Sequence, residues 1–198
     1  MSFAYDDFKL RRLKNMKKLY SIYAAAAVIA LSLSTFSGPV LAGAGHGSTE
    51  KAGKTGSPGK ASDATRTIEV TMRDNFYEPE SISVKEGETV RFVIKNAGEF
   101  VHEFNIATGD MHKAHAPEMM MMMEHGVLQA DKIDWEAAKK MQASMGHGMH
   151  NDPNSVLLEP GKSGEVVWTF PKHTKLEFAC NVPGHYESGM VGKIKLSH

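Results

Sequence analysis

From Thr67 onward apolar and polar residues alternate with a period of two, and this limits the chain to half-buried β-strands. "TIEVTM" puts Ile68, Val70 and Met72 on one face, and "TVRFVIKN" does the same with Val90, Phe92 and Ile94. "SISV" before the turn "KEGE" is a shorter run. "EVVWTF" (Val166, Trp168, Phe170), "KLEFAC" (Leu176, Phe178, Cys180) and "MVGKIKL" (Met190, Ile194, Leu196) supply three more. Short strands broken by Gly/Pro turns predict an all-β, antiparallel sandwich or barrel. At 198 residues and 41% hydrophobic content, the chain suffices for the core of one ordinary domain.

Residues 1–42 read as an export signal: the basic "KLRRLKNMKKLY", the apolar "IYAAAAVIALSL", then the small residues of "VLAGA". Cleavage is expected after Ala42, with Ala44 as the second choice, and Met16 before Lys17 and Lys18 is an alternative start. A retained anchor over Ile22 to Leu41 is disfavoured by Ser32, Ser34, Ser37, Gly38 and Pro39 at its far end. The expectation is therefore a periplasmic protein with no membrane segment after cleavage. Residues 43–66, rich in Gly, Ser, Lys and Ala, read as a flexible linker, leaving 67–198 as the domain. Without the leader the chain holds 17 Lys/Arg against 21 Asp/Glu, and this mild negative balance gives no nucleic-acid footprint.

The chemistry lies where the apolar alternation is broken. In "VHEFNIA" the inward positions are His102, Phe104 and Ile106, so an imidazole replaces a core hydrophobe. The lone cysteine, Cys180, shares the inward face of its strand with Leu176 and Phe178, and "CNVPGHYESGM" then spaces His185 and Met190 at equal intervals behind it. Taken singly, each has a structural explanation, as a small hydrophobe, a satisfied core histidine or packing filler. Together, one thiolate, two imidazoles and a weak thioether are the donor set of an electron-transfer copper site. A single thiol also has no partner for an internal disulfide.

The stretch from Thr67 to His198 resembles the cupredoxins, the family of plastocyanin, azurin, pseudoazurin and rusticyanin. The resemblance rests on the frame Phe76, Pro79, Ile82-x-Val84, Gly87, Val90-x-Phe92 and Asn96, on the "HEFN" strand, and on Cys180-x4-His185-x4-Met190 with its "PGH". It implies a Greek-key β-sandwich or barrel and one copper held by His102, Cys180, His185 and Met190, with Met190 the weak axial ligand. The loop spacing is most similar to that of rusticyanin. Glu103 stands where plastocyanins and azurins carry an Asn that braces the cysteine loop. A binuclear centre needs a second cysteine, and multicopper oxidases flank theirs with histidines where this chain has Ala179 and Asn181. The expectation is a carrier of copper or electrons, with no enzymatic activity.

Between Gly109 and Pro153 the strand alternation stops. This segment holds nine of the 13 methionines and five of the ten histidines, in clusters such as "MHKAH", "MMMMMEH" and "MGHGMH". Pro117 is expected to open a short helix ended by Gly126, and "ADKIDWEAAKKMQASM" to form a second. Five consecutive methionines do not fit on one helix face, so some must be exposed or packed elsewhere. The segment is either adaptable filler on the barrel or an additional Cu(I) store, thioether and imidazole being suited to that ion. Such insertions resemble those of the Met/His-rich cupredoxins linked to periplasmic copper tolerance. Expected partners are copper ions and either a periplasmic redox partner or a copper-handling protein.

Overall fold

A computed structural model describes residues 55–146, 149 and 151–198. The export signal assigned to 1–42, and the linker up to residue 54, lie outside the described residues. In chain order the elements are β1 (Ser57–Pro58), β2 (Arg66–Arg73), β3 (Phe76–Glu78), β4 (Ser81–Lys85), β5 (Thr89–Asn96) and β6 (His102–Ala107). After them come α1 (Gly109–Glu124), α2 (Trp135–Met145), β7 (Ser155–Leu158), β8 (Ser163–Thr169), β9 (Glu177–Ala179) and β10 (Val191–Ser197). One sheet has the order β1-β8-β5-β2-β3, the other β4-β10-β9-β6-β7. Among the described residues no helix is long and apolar enough to cross a membrane.

The alternating residues face one another between the sheets. Val70, Met72, Val90, Phe92, Ile94, Val166 and Trp168 come from the first sheet, and Ile82, Val84, Phe104, Ile106 and Phe178 from the second; all are buried. Phe104 and Phe178 stack at 5.3 Å between ring centres, with Tyr77 against Phe178 at 5.0 Å and Phe92 against Phe104 at 5.4 Å. Gly192 lies opposite Phe178 in the β9–β10 ladder, and a Cβ there would enter the Phe178 ring. Gly192→Ala is therefore expected to destabilise the protein by about 1–3 kcal/mol through overpacking, measured by urea unfolding.

The structure departs from the sequence expectations in four places. The sandwich is mixed, because β2 pairs parallel with β5 and β10 parallel with β4; alternation encodes which face is buried and carries no strand direction. Part of the segment read as flexible linker is ordered. Ser57 and Pro58 pair with Thr169 and Trp168, Thr55 is buried, and its carbonyl accepts from Trp168 Nε1 at 2.9 Å.

The first helix starts at Gly109, well before Pro117, which lies inside it. Thr108 is the true cap, its hydroxyl accepting from the Met111 N–H, and this satisfies an otherwise orphaned donor of the first turn. The interior proline removes one helix hydrogen bond, and burial of His112, Met119 and Met122 on either side of it offsets the loss. The second helix begins only at Trp135. Asp134 caps it, and residues 128–133 form a bridged turn instead.

Within the methionine run, Met119 and Met122 are buried and join the core, whereas Met120 and Met123 are exposed. Every residue of β6 is buried: Glu103 and Asn105 point away from the sandwich core, and there His115 of α1 lies 4.0 Å from Glu103 and Asn154 donates to Asn105.

Candidate metal centre

Asn96, at the end of β5, shapes the loop that delivers the first histidine. Its buried amide donates to the carbonyls of Phe100 (2.7 Å) and Leu158 (2.8 Å), and its Oδ1 accepts from the Gly98 N–H at 2.9 Å. His102 opens β6, fully buried, with Nε2 2.9 Å from Asp74 Oδ1. Asp74 also accepts from the backbone N–H groups of Glu99 and Phe100. Burial opposes ionisation of Asp74, yet the His102 contact and these N–H groups hold its carboxyl below the ordinary value. An ionised acceptor fixes the His102 proton on Nε2 and leaves Nδ1 as a lone-pair donor. Gly98 is required by this packing, since a Cβ there would collide with Asp74 Oδ1 and crowd His102 Nε2.

Cys180 follows β9 and is fully buried. The chain then turns through Val182 to Gly189, where the His185 N–H donates to Val182, Ser188 to Gly184 and Gly189 to Tyr186; Gly184 and Gly189 take the positive φ angles the turn needs. Met190 ends the turn, its N–H donating to the His185 carbonyl at 3.0 Å and its own carbonyl accepting from the Cys180 N–H at 3.2 Å. Its side chain is fully buried.

The donor atoms converge. His102 Nδ1 and His185 Nδ1 lie 3.2 Å apart, and Cys180 Sγ is 3.3 Å from His185 Nδ1 and 3.9 Å from His102 Nδ1. The four sequence-selected residues are thus drawn together, three by side-chain donors and Met190 by main-chain ties to Cys180 and His185. Separations of this size fit donors around one ion, and a thiolate with two neutral imidazoles suits a soft or borderline metal. Burial, and then the facing His102 ring, push the His185 pKa down and keep it a neutral donor.

Burial raises the Cys180 thiol to about 12, the Glu103 N–H opposing this only in part through its 3.3 Å contact with Sγ. The folded pKa is above the unfolded value, so the buried thiol contributes stability that is fully present below about pH 9 and is lost as pH rises toward 12. The metal-free protein is expected to lose up to about 1.4 kcal/mol per pH unit in that window from this group. Urea titrations at pH 8 and pH 10.5 should show the loss, and Cys180→Ala should remove that part of it.

Glu103 proves to be the brace of the cysteine loop. Its Oε2 accepts from the Asn181 backbone N–H (3.2 Å) and from Asn181 Nδ2 (2.7 Å), and its Oε1 accepts from Asn105 Nδ2 (3.2 Å). Tyr77 Oη donates to the Glu103 carbonyl at 2.7 Å. Burial raises the Glu103 pKa, opposed by His115 and by the Asn181 and Asn105 donors. The insertion completes the shell, with His112 Nδ1 3.0 Å from Asn181 Oδ1 and His115 Nε2 4.0 Å from Glu103 Oε1. Sequence reasoning missed Asp74 and Asn181, and singled out His112 only within the "MHKAH" cluster, as a Cu(I) donor and not as a partner of the cysteine loop. The signal for Asn181 was its position directly behind the cysteine.

Comparisons with known proteins give the family of the chain. The family model for a cupredoxin-like domain matches residues 47–144. The chain is 48% identical over 149 residues, 70% of its length and 80% of the relative's, to the copper-resistant cuproprotein CopI of Pseudomonas aeruginosa. Over 140 residues it is 43% identical to the copper-resistant cuproprotein CopI of Rubrivivax gelatinosus, covering 70% and 71% of the two chains. Among solved structures, reduced auracyanin from Roseiflexus castenholzii aligns with 68% of this chain and 99% of its own at 22% identity and a TM-score of 0.46.

Proposed function

The chain belongs to the cupredoxin-like family of copper-resistant cuproproteins, and from that premise we propose that it is a periplasmic protein with one redox-active type 1 copper site acting in copper tolerance. His102, Cys180 and His185 would hold the ion, and Met190 would be the weak axial donor. The observation that carries the reading is the convergence of two Nδ1 atoms and a buried thiol, with no second thiol in the chain to compete for it. Copper bound there would supply a one-electron couple and hold the thiol as thiolate. The residues do the rest. Asp74 orients His102, Glu103 and Asn181 hold the cysteine loop, and the buried walls keep the site shape fixed between oxidation states.

The insertion would add Cu(I) capacity. His115, Met119 and Met122 recur at helical spacing on α1 and line a cavity of about 230 Å³ together with Met149, Trp135 and Asp152. Because His112 and His115 contact Asn181 and Glu103, and Met119, Met122 and Met141 belong to the core, removal of residues 111–150 would disturb the main site as well. Point substitutions are the cleaner probe. Titration with Cu(I) against a competing chelator is expected to give more than one ion per chain. His115→Ala with Met119→Leu and Met122→Leu should return the count toward one, and a count of one in the unaltered protein would contradict storage.

A second reading, a one-electron carrier between respiratory partners, is favoured by one feature. Phe100 is 44% exposed and its ring meets His185 edge-on at 6.5 Å, an apolar surface beside the loop histidine. Copper-inducible expression and copper sensitivity of a deletion strain support tolerance. Co-expression with respiratory proteins and unchanged sensitivity support the carrier.

A further inference from the structure

A second convergent donor set lies at the other end of the sheet. Glu86 sits in the turn between β4 and β5, His173 in the loop between β8 and β9, and His198 directly after β10. His173 Nδ1 is 3.3 Å from Glu86 Oε1, and His198 Nδ1 is 3.1 Å from Glu86 Oε2. One donor atom from each of the three falls within 4.8 Å of the others, and the two rings are 5.4 Å apart. β10 runs from Met190 at the first site to His198 at this one. Its seven residues, at about 3.3 Å each, separate the two by roughly 23 Å.

The group is built on fixed backbone. The Glu86 N–H donates to the Ser197 carbonyl (2.9 Å), and the Gly87 N–H to Phe170 (3.1 Å), which ties the turn to both neighbouring segments. The His173 N–H donates to Glu86 Oε1 at 2.8 Å, aiming the carboxylate. His173 adopts a positive φ of 53°, a conformation a residue with a Cβ rarely takes, and in it the ring meets Glu86. The Glu86 side chain is 11% exposed, whereas the two imidazoles are 73% and 81% exposed. The carboxylate is anchored and the ring edges remain open to solvent.

We propose that Glu86, His173 and His198 form a second metal site, for a borderline divalent cation and best matched to Cu(II). Two imidazole nitrogens and one carboxylate are the donors that ion favours, and it binds N/O sites more tightly than the other first-row divalent ions. With bonds of about 2.0–2.2 Å, neighbouring donors sit about 2.9–3.4 Å apart, the range in which the two Nδ1-to-oxygen separations already fall. Before binding, each Nδ1 faces the Glu86 carboxylate and carries the ring proton; on binding, each ring changes tautomer through solvent, giving up the Nδ1 proton and taking one on Nε2, so both rings stay neutral and no other reactant is needed. The site goes beyond the thiolate centre, offering Cu(II) a solvent-open place with no thiol to reduce it.

The test uses the full chain carrying Cys180→Ala, so that the result does not depend on the first site. Zn(II) alone, as a diamagnetic probe, is expected to shift the His173 and His198 ring resonances in a one-to-one titration, and substoichiometric Cu(II) to broaden the same two rings. Glu86→Gln is expected to weaken Zn(II) binding at these rings at least tenfold. So is His173→Asn, which keeps a residue tolerant of positive φ. Rings that stay unmoved while Zn(II) binds elsewhere, or an affinity in both variants equal to that of the parent Cys180→Ala chain, would overturn the proposal.

Discussion

Cys180→Ser is expected to abolish the intense visible absorption of the Cu(II) protein, with Cys180→Ala behaving alike. That absorption is a thiolate-to-copper transition, and Cys180 is the chain's one thiol. Serine keeps nearly the same volume in a fully buried position, so loss of the band would not reflect a collapsed core. The oxygen that replaces sulfur is a poor ligand for Cu(I), so the reduced protein should also release its ion readily. Met190→Leu provides the contrast: a weak axial donor tunes more than it holds, so the band should persist while the potential rises. Survival of the band in either cysteine variant would show that it does not arise from Cys180, and the site assignment would be wrong.

The second large effect is expected at Glu103. Glu103→Ala leaves the Asn181 backbone N–H, Asn181 Nδ2 and Asn105 Nδ2 without their buried acceptor. Each such donor costs about 1–3 kcal/mol, so a combined loss of about 3–5 kcal/mol in unfolding free energy is expected after relaxation. Copper should leave the variant faster, because the segment behind Cys180 is no longer held. Glu103→Gln keeps one acceptor oxygen and should fall between the two. The Glu103 N–H that reaches Cys180 Sγ is main chain and survives both changes, so the colour should move little. Unaltered stability in Glu103→Ala would mean that the loop is held by His112 and the Cys180–Met190 backbone contact alone.

These two residues also mark what a sequence does and does not reveal here. Cys180 was legible because apolar alternation announces an inward face, and a thiol or imidazole on it is conspicuous. The same holds for His102. His185 and Met190 follow from their spacing in a loop that must return to the next strand. Glu103 sits on the opposite face of β6, where alternation predicts solvent, and in the fold it is buried beside His115 of α1 and against Asn181 and Asn105. Asp74 is an ordinary turn residue until the loop at Gly98 brings His102 onto it. The start of α1 was misplaced because Pro117 carries the stronger helix-start signal, whereas the Thr108 cap is decided by where β6 ends.

Anomalous diffraction at the copper edge, from crystals of the copper-loaded protein, would locate the ion. A strong peak is expected between His102 Nδ1, His185 Nδ1 and Cys180 Sγ, with the Met190 sulfur at longer range. Copper confined to the insertion or to the Glu86 cluster, with that position empty, would contradict this assignment.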